Sequence, residues 1–528
     1  MSSTSSWFKE RLGLDDLPFF RTPDYMYNVN YWLGALVAGA FIYAVISGLF
    51  LLLYYYPSDP YGETWFLILL VPYGSVVLFS HLYSSYAMII LAYIHMFRNY
   101  FSGAYKKPRE IPWVIGVLML VLTLAASFVG YSLIADVLGV DAVDVGRGIL
   151  NQLPGGGIFN SLFFGNGTSL DLYTRLLAWH IILVAAIGML FVFHFFLAEK
   201  HGIMPARREK PTVPAVYSKE EESKFNPWWP RNFVYMLSLL FITWGFIIMV
   251  PNALAEINGL PLLVNPHPAP SPTSPMASTV PAYPPWFFLF FYKIADFLQP
   301  NGQPYSPLLA LIIAVAIPLI YLIALPFMDR SKYLTPWKRK LWIWIGILMI
   351  TYLIETSVWG YEQPGVPEPF LVQAELYLPP AIIAGVALYL IRPRGSSAVK
   401  KASLSPLNVL ALTVLALLLV GTLGDFISDP TVFGLGILIP LIMATVIGFR
   451  SVNVTEQSKV NPPKLKVNRK IGEVLLLIIL ILSVLVASTM WTLPSLGPLS
   501  NLFGVELGIL FILLGEALSL YHHLVFVK

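Results

Sequence analysis

The sequence predicts an all-α polytopic membrane protein with about 12 transmembrane helices. Three observations predict it. The chain is 57% hydrophobic and only 12% charged. Apolar runs of about 20 residues, the length a helix needs to cross a bilayer, recur from end to end. The basic residues fall in every second segment between runs. In a bilayer core only helices and closed barrels satisfy their own backbone polar groups, and runs this long and continuous are helical.

The spans are expected at 31–55, 75–98, 113–135, 175–197, 232–251, 307–327, 341–358, 370–391, 406–424, 432–449, 471–491 and 503–524. If the N-terminus lies inside, the inner segments carry 30 of the 33 Lys and Arg; the exceptions are Arg147, Arg175 and Lys293. That is the positive-inside pattern. It places both termini in the cytoplasm and the protein in the cell membrane. The N-terminal stretch MSSTSSWFKERLGLDDLPFF lacks the apolar core of a cleavable signal peptide. Four units follow: a cytoplasmic segment 1–30, a four-span bundle 31–231, a second four-span part 232–395, and a four-span extension 396–528. The basic linker RPRGSSAVKKASLSP precedes the extension.

The second run, LFSHLYSSYAMIILAYIHMFR, carries His81 and His95, and the fourth, LLAWHIILVAAIGMLFVFHFF, carries His180 and His194. Both pairs are 14 residues apart. On a helix that is about 21 Å and just under four turns, so each pair lies within about 40° of one face. Ionisable side chains inside a membrane are costly and mark function. The second and fourth spans run in the same direction, so His81 pairs in level with His180 toward the outside and His95 with His194 toward the inside. Four imidazoles at two levels point to two bis-histidine sites, and haem iron takes axial histidines. Zinc is disfavoured, because clustered carboxylates and cysteine are missing from these runs. The chain has no cysteine, which excludes disulfides, thiolate metal sites and iron–sulfur ligation.

Gly34 and Gly48 in the first span and Gly116 and Gly130 in the third repeat the 14-residue spacing. Glycines in membrane helices commonly serve helix packing; here the matched spacing reads as clearance for a flat macrocycle at each level. Two outer segments are long. The first, 136–174, reads as short interfacial helices or loop. The second, 252–306, is proline-rich until about residue 285. It ends in an aromatic group, Tyr283, Trp286, Phe287 and Tyr292, suited to a lipid interface or to a pocket for a ring-shaped ligand. Of the other histidines, His267 reads as a solvated loop residue, His522 and His523 as interfacial, and His201 as interfacial or as a ligand for a quinone head group.

These residues resemble cytochrome b of the quinol-oxidising cytochrome bc complexes, over about residues 25–395. The resemblance rests on both histidine pairs, both glycine pairs, Arg98 three residues after His95, Phe128-Val-Gly130-Tyr131, and Arg175 five residues before His180. It extends to PPWFFLFFY and to GYEQPGVPEPFLVQAELY. In the family PPWF is normally Pro-Glu-Trp-Tyr, so Pro285 stands where a glutamate assigned to proton removal is usual, and Phe287 where tyrosine is. Asp141, Asp144 and Asp296 are outer acids that stand as substitutes. After Tyr131 the usual Leu-Pro-Trp-Gly-Gln is replaced by SLIAD. The extension lies beyond the family fold, and long fused chains of this kind suggest an archaeal respiratory chain.

The resemblance implies a di-haem subunit, with haems of b-type or a-type, that passes electrons from quinol across the membrane and contributes to the proton motive force. It implies an outer quinol site lined by Phe128, Tyr131, Pro285, Trp286, Phe287 and Tyr292. It implies an inner quinone site with His201, Arg231 and Asn232 as contacts, and Arg98 and Arg175 as partners of haem propionates. The implied partners are a Rieske iron–sulfur protein, further respiratory subunits including a terminal oxidase or electron carrier, and a second copy in a homodimer; nothing points to nucleic acid. Two other readings are a di-haem anchor for another oxidoreductase and a secondary transporter. The anchor leaves the aromatic outer loop unexplained. The transporter requires mid-span acids, but Glu355, Glu375 and Glu516 show no repeat symmetry.

Overall fold

The computed structural model describes residues 21–207, 209–390, 429–456, 468–497 and 499–527. Among them are 11 helices long and apolar enough to cross a membrane. In chain order, with the shorter helices between them, they are α1 (Leu33–Leu52), α2 (Pro60–Leu70), α3 (Gly74–Ser102), α4 (Glu110–Ser132), α5 (Val137–Asn151), α6 (Gly156–Phe164) and α7 (Ser169–His201). Then come α8 (Phe233–Leu254), α9 (Leu289–Ala295), α10 (Pro307–Met328), α11 (Lys340–Glu362) and α12 (Phe370–Leu390). The last three are α13 (Pro430–Glu456), α14 (Arg469–Met490) and α15 (Ser500–Phe526). The expected span at 406–424 and the basic linker lie outside the described residues.

Two elements differ from the sequence expectation. Helix α7 has 33 residues, longer than its apolar run, because its polar first turn is capped: the Thr168 side chain accepts from the Asp171 N–H, and Arg175 Nε pairs with Asp171 Oδ1 at 2.9 Å. Helix α2 was not foreseen. Its signal is local: Asp59 accepts from the Gly62 N–H, Pro60 occupies the first turn, and 11 residues are too few to span.

Helix α1 packs on α3, and α4 on α7. The two long outer segments form a cover. Helices α5 and α6 make up part of it, tied to the proline-rich loop by Val137 N donating to Pro270 O at 3.0 Å and Ala269 N to Asp136 Oδ2 at 2.8 Å. Helix α9 seats on α11 where Gly360 lies against the Leu289 carbonyl; a Cβ at 360 would stand 2.7 Å from that oxygen. Beside this contact Lys293 is fully buried, its Nζ 2.6 Å from Glu368 Oε1.

The extension belongs to the same packed body. Helix α13 lies against α11 and α12, and its Gly436 faces the buried Glu355 carboxyl and Pro380. Helix α15 runs along α8 through glycines. A Cβ on Gly245 or on Gly508 would come within 2.7 Å or 2.6 Å of the other's carbonyl oxygen. Small residues let two backbones approach this closely, and van der Waals contact then holds them in lipid.

Candidate functional site

The four histidines and four glycines form one-to-one contacts. A Cβ at Gly48 would stand 3.1 Å from His81 Cε1, and one at Gly130 2.8 Å from His180 Cε1. At the other level the distances are 3.3 Å from Gly34 to His95 and 3.4 Å from Gly116 to His194. Each imidazole therefore faces a glycine, and the fit is tightest at Gly130 and loosest at Gly116. The clearance serves the ligand rings directly.

At the outer level the His81 and His180 ring centroids are 6.4 Å apart, at 74°. A metal–imidazole nitrogen bond is about 2 Å, which puts two centroids about a metal roughly 6 Å apart, so the spacing fits one ion between them. The tautomers fit as well. His180 Nδ1 lies 2.9 Å from the Ala126 carbonyl, which only accepts, so Nδ1 carries the proton. Ser47 Oγ donates to the Tyr43 carbonyl at 2.7 Å, which leaves it to accept from His81 Nδ1 at 2.9 Å. Both Nε2 lone pairs are thus left for the metal, and each ring is oriented by an outer partner as ligating histidines require.

At the inner level His95 faces Gly34 and His194 faces Gly116. Asn99 Nδ2 reaches His95 Nε2 at 3.2 Å, and Arg98 Nη1 donates to Asn99 Oδ1 at 2.9 Å. The Arg98 guanidinium lies over the Tyr31 ring, 5.0 Å from its centroid. Arg175, by contrast, is held by Asp171 and by the Leu162 carbonyl at 3.3 Å.

A cavity of about 530 Å³ reaches from the outer histidines to the aromatic loop; Gly48, His81, Gly130 and His180 line it together with Tyr131 and Phe287. Tyr86 lines it too and was missed by the sequence reading. It stacks edge-on to Trp286 at 5.5 Å and to Phe287 at 6.4 Å. Its only signal was its position, five residues after His81 on the same helix. Phe128 meets Phe288 at 6.1 Å, and Pro285 caps the turn Trp286–Phe288 that aims these rings.

Tyr292 lies in the buried aromatic cluster around Phe290, Phe291 and Trp359 with Val145 and Ile149 of α5. Burial and then the Asp141 charge raise the Tyr292 phenol above its ordinary value. Burial and then Asp144 raise Asp141 itself. Asp136 is committed, with its two oxygens accepting from the N–H groups of Gly139 and Ala269 at 2.8 Å each. Asp144 is an exposed partner of Arg147 at 3.8 Å. Asp296 accepts from the Gly365 N–H at 3.1 Å.

The inner candidates separate. The His201 carbonyl accepts from Arg109 Nη2 at 2.8 Å. Arg231 pairs with Asp24 at 2.7 Å and stacks on Tyr27 at 4.3 Å. Asn232 is fully buried; it accepts from the Tyr27 hydroxyl and donates to Thr22 Oγ1 at 2.9 Å. His522, expected at the interface, is 4% exposed in this same cluster. His267, expected in solvent, lies between Trp65 and Phe79, at 6.4 Å and 4.8 Å.

A family model described as cytochrome b (N-terminal)/b6/petB matches residues 86–272. Cytochrome b of Sulfolobus acidocaldarius is 48% identical over 98% of this chain and 97% of its own length. Cytochrome b6 of Gracilaria tenuistipitata var. liui is 32% identical, over 38% of this chain and 98% of its own. Among solved structures, a chain of a hyperthermophilic respiratory Complex III shares the fold. Its TM-score is 0.52 at 19% identity, covering 85% of this chain and 99% of that one. The near full-length match at 48% identity decides the assignment: this chain belongs to the cytochrome b family.

Proposed function

We propose that this chain is the di-haem subunit of a quinol-oxidising bc-type respiratory complex and thereby part of a membrane oxidoreductase. The observation that carries the reading is one continuous cavity lined by His81 and His180 and by Tyr131 and Phe287. Ring-stacking side chains and a pair of oriented imidazoles thus share one apolar space. His81 and His180 would hold one haem, and His95 and His194 the second, with Arg98 beside the inner level. Bound there, the haems, of b-type or a-type, supply one-electron redox chemistry at two depths of a low-dielectric core.

The residues of the chain do the rest. Trp286, Phe287, Tyr86 and Phe128 bind and orient a quinol ring and exclude water. Tyr131 lines the cavity, and Tyr292 lies in the neighbouring cluster with Phe290 and Phe291. Pro285 offers no carboxylate, and of the outer acids Asp141, whose charge bears on Tyr292, would accept the proton. Toward the inner face, Arg231 and Asn232 would serve quinone reduction; His201, whose carbonyl accepts from Arg109, has other partners. A Rieske iron–sulfur protein would take the other quinol electron, since a cysteine-free chain cannot bind such a cluster. A terminal oxidase or electron carrier and a second copy of this chain complete the proposed assembly. The positive-inside charge distribution supports a cell-membrane location with both termini cytoplasmic.

The test is optical. The purified chain should show haem bands reducible by dithionite, and quinol should reduce them in the native complex. Trp286→Ala with Phe287→Ala should abolish reduction by quinol while leaving reduction by dithionite. Absence of haem bands overturns the redox reading, and full quinol reduction in the double variant overturns the outer site.

A further inference from the structure

We infer that the extension completes the inner site: His522, on the last helix, is a head-group ligand and proton donor for quinone. This rests on the function proposed above and deepens it.

Three observations place His522 there. The first is the seam. Gly508, Gly515 and His522 follow one another at seven-residue intervals, which keeps them on one face of α15. The two glycines press that face onto α8: Gly508 against Gly245, and Gly515 with its Cβ position 2.9 Å from the Ser238 carbonyl. The same face therefore delivers His522 to the beginning of α8, where Arg231 and Asn232 lie.

The second is the surroundings. His522 is 4% exposed and packs on Tyr27 at 4.9 Å, Tyr235 at 5.3 Å and Phe526 at 5.6 Å. Tyr235 in turn meets Trp32 at 5.3 Å, two residues before the glycine that faces His95. A wall of rings runs from His522 to the inner histidine level and suits a flat, ring-shaped ligand.

The third is chemistry. His522 Nε2 is buried and has no hydrogen-bond partner among the described residues. A buried polar atom without a partner is costly, and such atoms mark functional positions. The charged groups facing it are Arg231, paired with Asp24, and His523; the phenols are Tyr27 and Tyr235. Asn232 and Arg231 can only hold a quinone oxygen, whereas an imidazole can also exchange a proton with it.

Reduction of a quinone needs two electrons, which a haem held by His95 and His194 would supply one at a time, and two protons from the inner side, so that each carbonyl becomes a hydroxyl. His522, protonated from the inner side, would give the Nε2 proton to one quinone oxygen. The neutral ring then recovers a proton from the inner aqueous phase.

The experiment uses the full chain in its native complex, with a short-chain benzoquinone and a short-chain naphthoquinone as probes. His522→Phe keeps the aromatic volume and removes both nitrogens; His522→Gln keeps a donor and removes the titration. Two readouts are taken: equilibrium binding of each quinone, and reoxidation of the prereduced inner haem from pH 5 to 8. His522→Phe should weaken binding and slow reoxidation by roughly 100-fold, the scale of a lost general acid. His522→Gln should restore binding but leave a slow rate flat with pH. Wild-type rate and pH profile in either variant overturn the role of His522. A wild-type complex whose inner haem no quinone reoxidises overturns the inner quinone site itself. If His522→Phe fails to assemble, His522→Gln alone decides.

Discussion

Gly130 and His180 make the tightest of the four glycine–imidazole contacts: a Cβ at 130 would stand 2.8 Å from His180 Cε1, against 3.4 Å for Gly116 and His194. Ordinary van der Waals contact begins at the larger distance. The His180 ring has no room to retreat, because its Nδ1 is held by the Ala126 carbonyl. Gly130→Ala should therefore displace His180 and remove the outer haem signal while leaving the inner one. Gly116→Ala should keep both. Reduced-minus-oxidised spectra and haem extraction check this, and equal behaviour of the two variants would refute the steric ranking.

Ser47 sets the tautomer of His81. Its hydroxyl hydrogen goes to the Tyr43 carbonyl, so Ser47→Ala removes the acceptor of the His81 Nδ1 proton. Loss of such an orienting partner typically weakens metal binding by about 10–100-fold. Haem at the outer level should transfer faster to an excess of a haem-scavenging protein, with the inner level unchanged. An unchanged transfer rate would show that Ser47 does not orient the ligand.

The spans were legible because hydropathy is local, and the helical repeat put each histidine pair on one helix face. Antiparallel packing of α1 on α3 explains why Gly48 meets His81 and Gly34 meets His95, a pairing consistent with that topology. Tyr86 was not legible, since its neighbours Trp286 and Phe287 come from 200 residues away. The burial of His522 was not legible for the same reason: Tyr27 and Tyr235 are distant in sequence. Helix α2 carried a readable Asp-Pro start that span-length windows pass over.

Lys293 and Glu368 pin α9 to the loop after α11. Lys293 is fully buried, 2.6 Å from the carboxylate and 4.5 Å from the Trp359 ring centroid. Removing one partner leaves an uncompensated buried charge, a cost of about 3–5 kcal/mol. Glu368→Ala should lower the melting temperature of the purified protein sharply. Lys293→Met combined with Glu368→Leu should recover much of the loss, since an apolar pair avoids the desolvation cost. Equal melting temperatures for the single and double variants would mean the pair is not what holds α9.

Asp296 gives the chain a pH dependence of definite sign. Burial raises its carboxyl to about 6 from 3.8, opposed by Lys293 and by the Gly365 N–H, with Glu368 adding to the rise. Between about pH 4 and 6 the folded protein holds a proton that the unfolded chain has released, so this group lowers stability as pH rises through that window and adds no further slope above it. Asp296→Asn keeps an oxygen for the Gly365 N–H and cannot ionise. Melting temperatures of the two proteins, measured in parallel, should diverge from pH 4 to 6 in favour of the variant and then run parallel. Taking the difference cancels the other carboxylates that titrate in the same range. A flat difference would place the Asp296 carboxyl at its ordinary value and remove it from the acids available near Tyr292.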